Sequence, residues 1–71
     1  MEVQSMTMTI KEVLEILYED YGVSKSWMSK RLDISQVYMT ELYKGKRLGS
    51  KKMKRRVLEL AQRYFDIEEI I

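Results

Sequence analysis

The stretch that decides the fold runs from Val23 to Lys46 and reads VSKSWMSKRLDISQVYMTELYKGK. Ser24 and Ser35 each precede a run with apolar residues at helical spacing, and a serine hydroxyl in that position accepts a hydrogen bond from the first helical turn. The apolar residues flanking each serine fit a hydrophobic staple. The stretch therefore predicts two short helices, about 24–32 and 36–43, with only three residues between them. A turn this short is typical of two helices that cross at a steep angle.

Capping signals outside this stretch predict three further helices. Thr9 and Glu12 form the pattern of a capping box, and Ser50 and Asp66 are suitable N-caps for two later segments. No strand-like alternation is present. The predicted class is all-α, a compact fold of five helices at about 9–21, 24–32, 36–43, 51–64 and 67–71.

The length and composition of the chain limit the classes of protein to which it can belong. A chain of 71 residues is too short for two cores, so the sequence predicts one domain, which spans 9–71. The residues before the first predicted helix, 1–8, are expected to form a flexible N-terminal segment. The absence of Cys and His removes thiolate metal sites, a Cys nucleophile and the usual general base. We therefore expect no enzyme activity, cofactor, metal or small-molecule substrate. Because no apolar run approaches a membrane span and no signal peptide is visible, we expect a cytoplasmic protein with no membrane partner.

The central stretch resembles the helix-turn-helix of the Cro and phage-repressor type, the lambda repressor-like family. The family's sequence of cap, small residue, turn, inward aliphatic residue, Leu and glycine exit is matched by Ser24, Ser29, Ile34-Ser35-Gln36, Met39, Leu42 and Lys44-Gly45-Lys46. The resemblance implies a sequence-specific double-stranded DNA-binding transcriptional regulator of the repressor type, belonging to a phage or mobile element. Since one small module offers a limited interface, it also implies a homodimer on a palindromic operator.

The sequence departs from the family pattern in two respects. Asp33 occupies the turn position where the family usually has Gly, and Asp tolerates a positive φ better than most residues, so we expect the turn to form. Several family members link the first helix to the end of the recognition helix by a buried Arg–Glu pair. Tyr18 and Tyr43 stand at the matching positions here, which predicts an aromatic pair in its place.

The resemblance makes helix 36–43 the recognition helix. An α-helix fits the major groove, where base edges carry a distinguishable donor and acceptor pattern. Its outward residues are expected to read bases: Gln36, Val37, Thr40 and Glu41. Gln36 can bond adenine bidentately, Val37 can contact a thymine methyl group and Glu41 can accept from a cytosine amino group. A salt bridge to Lys44 would explain Glu41 equally well, and the whole set could be exposed polar residues on a surface helix.

The formal charge of +2 conceals an uneven distribution. Residues 44–56, here called the basic segment, hold eight of the 13 basic residues and none of the 11 acidic ones. Three of its lysines begin the predicted helix 51–64, where the macrodipole disfavours cations and backbone N–H groups favour an anion. A solvated charge run is the alternative. With the positions that the resemblance adds, the expected phosphate contacts are Lys25, Ser35, Tyr38, Lys44, Lys46, Arg47, Lys51, Lys52 and Lys54.

The sequence is also compatible with other functions and with other roles for some residues. Residues 51–65 form a basic amphipathic segment, so the chain could be a protein- or membrane-interaction module, and burial of the apolar face would discriminate. The same fold could serve an antitoxin, an excision factor or a controller protein. Trp27 could stack on DNA or bond a phosphate, or it could partly cover the core. The apolar C-terminal end could form a dimer contact or simply close the core, and its residues are Ile67, Ile70 and Ile71.

Overall fold

The computed structural model describes residues 7–71. In this part of the chain, four helices enclose the core and two short strands pair beside them. The elements are β1 Thr7–Met8, α1 Ile10–Glu19, α2 Lys25–Leu32, α3 Gln36–Tyr43, α4 Lys51–Ala61 and β2 Glu69–Ile70. The predicted flexible segment 1–8 lies outside the described residues except for its last two, which form β1.

The predicted N-caps are confirmed at all four helices. Thr9 and Glu12 form the complete capping box of α1, with the Glu12 backbone N–H donating to the Thr9 hydroxyl over 3.2 Å. The hydroxyls of Ser24, Ser35 and Ser50 each accept from the backbone N–H three residues later, over 3.0–3.1 Å. Each bond satisfies a donor that the helix leaves unpaired, which explains why the helices begin at these residues.

The turn between α2 and α3 forms as predicted. Asp33 adopts φ 58° and ψ 49°, the left-handed conformation expected at this position. The Ile34 backbone N–H then donates to the Ser29 carbonyl over 2.9 Å and closes the end of α2. Such a left-handed residue at the end of a helix redirects the chain within a few residues, so α3 can pack across α2.

The C-terminal end departs from the prediction, and the all-α class is wrong in this detail. Residues 67–71 form no helix, because β2 pairs with β1 in parallel, with Met8 opposite Ile70. Five residues are too few to offset the cost of helix nucleation, whereas an extended segment satisfies its backbone against β1. Ile67 and Ile70 are buried in this arrangement and Ile71 is exposed.

Two predicted helices also end earlier than expected. The first ends at Glu19 instead of residue 21, and α4 ends at Ala61 instead of residue 64. After Ala61 the chain tightens into a turn in which the Tyr64 backbone N–H donates to the Ala61 carbonyl over 2.8 Å. This turn brings the aromatic residues that follow α4 against Tyr21, whose ring stacks on Phe65 at 5.8 Å.

One hydrophobic core joins all four helices and β2. It consists of Ile10, Val13, Leu14, Leu17, Val23, Met28, Leu32, Met39, Leu42, Met53, Val57, Leu60, Ala61, Ile67 and Ile70. Because α1 packs against both α3 and α4, it supports from behind the surface that α3 and the start of α4 present to solvent.

Candidate nucleic-acid interface

The buried residues of α3 determine which of its other residues face solvent. Met39 and Leu42 are almost completely buried against α1 and α2. Helical spacing then directs Gln36 and Val37, at the N-terminal end of α3, toward solvent, and Val37 is 72% exposed. The start of α3 therefore presents an amide and an accessible apolar side chain to solvent.

The other two predicted base-reading residues are less accessible. Thr40 is half-buried, and its hydroxyl donates to the Gln36 carbonyl within the helix over 2.9 Å. Glu41 is half-buried and forms an ion pair with Arg47, whose Nε lies 3.1 Å from its carboxylate. The alternative of a salt bridge from Glu41 to Lys44 is therefore wrong in its partner, because the carboxylate pairs with Arg47 instead. Glu41 is engaged by the loop and does not project freely from α3.

Arg47 makes a second contact from the same loop. Its guanidinium carbon lies 5.5 Å from the centroid of the Tyr38 ring. The Ser35 hydroxyl accepts a hydrogen bond from the backbone N–H of Tyr38, three residues later. The same hydroxyl can still donate its own hydrogen to another group. The loop after α3 is thus held back against the first turns of α3. Sequence reasoning missed this contact, because Arg47 follows the end of the helix and no helical spacing rule relates it to Tyr38 or Glu41.

The predicted aromatic pair between α1 and α3 is confirmed. The rings of Tyr18 and Tyr43 meet edge to face, with 5.8 Å between centroids and 82° between planes. The Tyr43 hydroxyl donates to the Glu19 carboxylate over 3.3 Å. Loss of surrounding water, followed by the nearby charge of Glu19, raises the pKa of Tyr43, so the phenol stays protonated and keeps this bond.

Lys25 joins this aromatic pair from α2. Its Nζ lies 4.0 Å from the centroid of the Tyr43 ring and 4.8 Å from that of Tyr18. Both distances are within the range of a cation–π attraction, which restrains the ammonium group without neutralising it. The predicted phosphate contact Lys25 is therefore held at the start of α2 with its charge intact. No sequence signal connected it to the tyrosines, because the three residues lie on three helices.

Two glycines shape the loop between α3 and α4. Gly45 has φ 78° and Gly49 has φ 81°, a conformation that side chains other than Gly rarely adopt. A Cβ on Gly49 would lie 2.6 Å from the Ile10 side chain, so the loop backbone rests directly on α1. This close approach fixes the position of the loop, from which Lys44 and Lys46 extend into solvent while Arg47 returns to Glu41 and Tyr38.

The start of α4 carries the rest of the basic segment. Lys51 and Lys52 are exposed and Lys54 is half-buried, beside the Ser50 cap. Further along α4, the Arg56 guanidinium donates to the Leu32 carbonyl over 3.2 Å and satisfies the end of α2. The basic segment therefore divides into a first part that faces solvent and an Arg56 that braces two helices.

The apolar face of α4 is part of the core. Met53, Val57 and Leu60 are buried, and the apolar stripe predicted on this segment is consumed within the domain. The helix leaves no continuous apolar face for a partner or a lipid surface. Of the three predicted dimer residues, Ile67 and Ile70 are also in the core, so only Ile71 is accessible. Trp27, on α2, is 43% exposed and is not one of the core residues.

The part of the chain in residues 7–71 contains no group of three or more carboxylates placed to hold a metal ion. Within the same residues, no helix has the length and apolar character to cross a bilayer. Comparison with protein-family models, with curated protein sequences and with solved structures found no match for this chain.

Proposed function

We propose that this protein binds double-stranded DNA sequence-specifically and acts as a transcriptional regulator of the repressor type, with α3 in the major groove. The observation that carries the proposal is the exposed N-terminal end of α3, Gln36 and Val37, together with the basic loop Lys44–Arg47, which follows the other end of α3 and returns to Tyr38 through Arg47. A helix end that offers an amide and a methyl-contacting side chain, beside clustered cations, has the chemistry of base reading combined with phosphate anchoring.

The base-reading roles divide unequally along α3. Gln36 supplies a donor and an acceptor that match the exposed edge of an adenine, and Val37 supplies apolar contact for a thymine methyl group. Thr40 lies one turn further along α3, and in this proposal it contacts a base when the helix approaches the major groove more closely. Glu41 serves a different purpose in this proposal, because its pairing with Arg47 orders the loop instead of reading a cytosine.

The phosphate contacts come from two sides of α3. On one side are the loop and the first turn of α4, with Lys44, Lys46, Lys51 and Lys52 exposed. On the other side is Lys25, restrained at the start of α2 by two tyrosine rings. Restraint lowers the side-chain entropy that a lysine loses on binding, which favours a positioned contact over a diffuse one.

Selection of bound sites from random duplex DNA tests the proposal. The expected result is a palindromic consensus with half-sites about one helical turn apart, bound with an affinity that falls steeply as salt rises. Replacing Gln36→Ala should relax the preference at one base pair per half-site, and Lys30→Ala, an exposed cation on α2, is the control that should keep it. Recovery of no consensus, or a Gln36→Ala variant with unchanged preference at every position, would refute the proposal.

A further inference from the structure

Arg56 belongs to the basic segment, but the proposed DNA contact does not use it. Its guanidinium lies against the end of α2, where it donates to the Leu32 carbonyl over 3.2 Å. It also lines a cavity of about 200 Å³ between the end of α2 and the C-terminal half of α4. We call this cavity the arginine pocket, because three arginines are among the residues that line it: Arg31, Leu32, Arg56, Glu59, Leu60 and Arg63.

The backbone carbonyls that line the arginine pocket do not need its remaining guanidinium groups. The Leu32 carbonyl accepts from Arg56, and the Leu60 carbonyl accepts from the Arg63 backbone N–H over 3.2 Å. Within residues 7–71, the side chains of Arg31 and Arg63 form no ion pair and no hydrogen bond to another protein group. An arginine has five N–H donors, so Arg56 also keeps donors beyond the one that Leu32 occupies.

The arginine pocket carries an excess of positive charge. Three guanidinium groups and the carboxylate of Glu59 leave two positive charges around it. The macrodipole favours a cation at the C-terminal end of a helix, which explains a single arginine at the end of α2 or of α4. It does not explain why three of them converge on one cavity, because like charges at close range repel one another. A bound anion would offset this repulsion.

We infer that the arginine pocket binds a small phosphomonoester, with the phosphate group held by Arg31, Arg56 and Arg63. A phosphomonoester carries a charge of about −1.5 to −2 at pH 7, which matches the excess in the pocket better than a single carboxylate does. Guanidinium groups bind phosphate oxygens in bidentate pairs. The volume of about 200 Å³ is below the roughly 300–1,000 Å³ of sites for drug-sized ligands, so the group attached to the phosphate is small.

A phosphate group in the arginine pocket would connect two helices. Arg31 belongs to α2, whereas Arg56 lies on α4 and Arg63 follows its end. A ligand that binds only the folded chain raises its melting temperature, and here the gain depends on arginines from both helices. None of these arginines is among the proposed DNA contacts, so the inference does not depend on the proposed function.

Titration of the isotope-labelled full chain with methyl phosphate, at constant ionic strength and about pH 7.5, tests the inference. The NMR signals of the Nε–H groups of Arg31, Arg56 and Arg63 should shift together and saturate. Arg31→Gln and Arg63→Gln should each weaken binding about tenfold and keep the fold, because both side chains are exposed. Glu59→Gln should strengthen binding, since it removes the one negative charge of the pocket. Binding should weaken at about pH 5, where the phosphate group has gained a proton.

Arg55→Gln is the matched control, because Arg55 is an exposed arginine of α4 that does not line the arginine pocket. It should leave the affinity for methyl phosphate unchanged. Methyl phosphate should also raise the melting temperature of the unchanged chain and of Arg55→Gln, but not that of Arg31→Gln. The inference is overturned if Arg55→Gln weakens binding as much as Arg31→Gln, since the anion would then respond only to the general positive charge. It is also overturned if a DNA duplex displaces methyl phosphate, since the arginines would then belong to the DNA-binding surface.

Discussion

Replacing Glu41→Gln distinguishes a base-reading Glu41 from one that serves the loop. The carboxylate lies 3.1 Å from Arg47 Nε, with the Glu41 side chain 33% exposed and that of Arg47 56% exposed. A pair this accessible stabilises a protein by only about 0.2–1 kcal/mol, and the Gln amide can still accept from Arg47, so we expect a loss of stability at the low end of that range. The fold is therefore retained, and the effect on DNA affinity can be measured directly.

The expected effect on DNA binding is a gain. Glu41→Gln removes a negative charge from a surface proposed to face phosphates and releases Arg47 to contact one. Each additional phosphate contact steepens the dependence of log affinity on log salt by about 0.9, so a fourfold change in salt alters the affinity by roughly a further 3.5-fold. The base preference at every position should stay the same.

Fluorescence anisotropy with a labelled duplex at several salt concentrations measures both quantities. Glu68→Gln is the control, because it makes the same change in net charge at an exposed position near the C-terminal end. It should leave the salt dependence unchanged. Weaker binding of Glu41→Gln with a changed preference at a G·C pair would mean that Glu41 reads cytosine. An unchanged salt dependence would mean that the loop does not face phosphates.

Three further substitutions test the fold that supports this surface. Asp33→Gly removes the strain of φ 58° and an acidic charge at the end of α2, and should stabilise the protein by about 1 kcal/mol in urea unfolding; a destabilised variant would refute the assigned turn. Gly49→Ala places a Cβ 2.6 Å from Ile10 at φ 81° and should destabilise by about 2 kcal/mol or more; an unchanged melting temperature would contradict the close packing. Hydrogen bonds from Thr9, first its backbone N–H and then its hydroxyl, lower the pKa of Glu12, so its contribution is complete above the ordinary value of 4.5 and is lost as the pH falls through the lower folded value. Glu12→Gln should therefore lose less stability on acidification than the unchanged chain, and equal losses would rule out this role.

The starts of the helices and the turn between α2 and α3 could be predicted from the sequence because they depend on local interactions. A capping serine acts on a backbone N–H three residues away, and Asp33 acts through its own φ, so both signals lie within one short window. The aromatic pair of Tyr18 and Tyr43 was predictable for a different reason, because the resemblance supplied the long-range correspondence that the sequence alone lacks.

The error at the C-terminal end came from a contact between distant residues. The C-terminal isoleucines fit a short helix by composition, but β2 pairs with β1 some 60 residues earlier in the chain, and no local pattern marks that pairing. The site shows a different limit. A helical projection places Glu41 outward and so favours base reading, but the position of Arg47 depends on the path of a glycine-shaped loop that no helical spacing rule describes.

An NMR titration of the isotope-labelled full chain with its selected duplex tests most directly whether α3 and the basic segment form the DNA-binding surface. The largest amide shift changes should fall at Gln36 and Val37, in the loop 44–47 and in the first turn of α4, with a smaller group at the start of α2. The acidic outer face of α1 should change little. Changes concentrated on α1 or on the C-terminal strand, with α3 unaffected, would contradict the proposed interface.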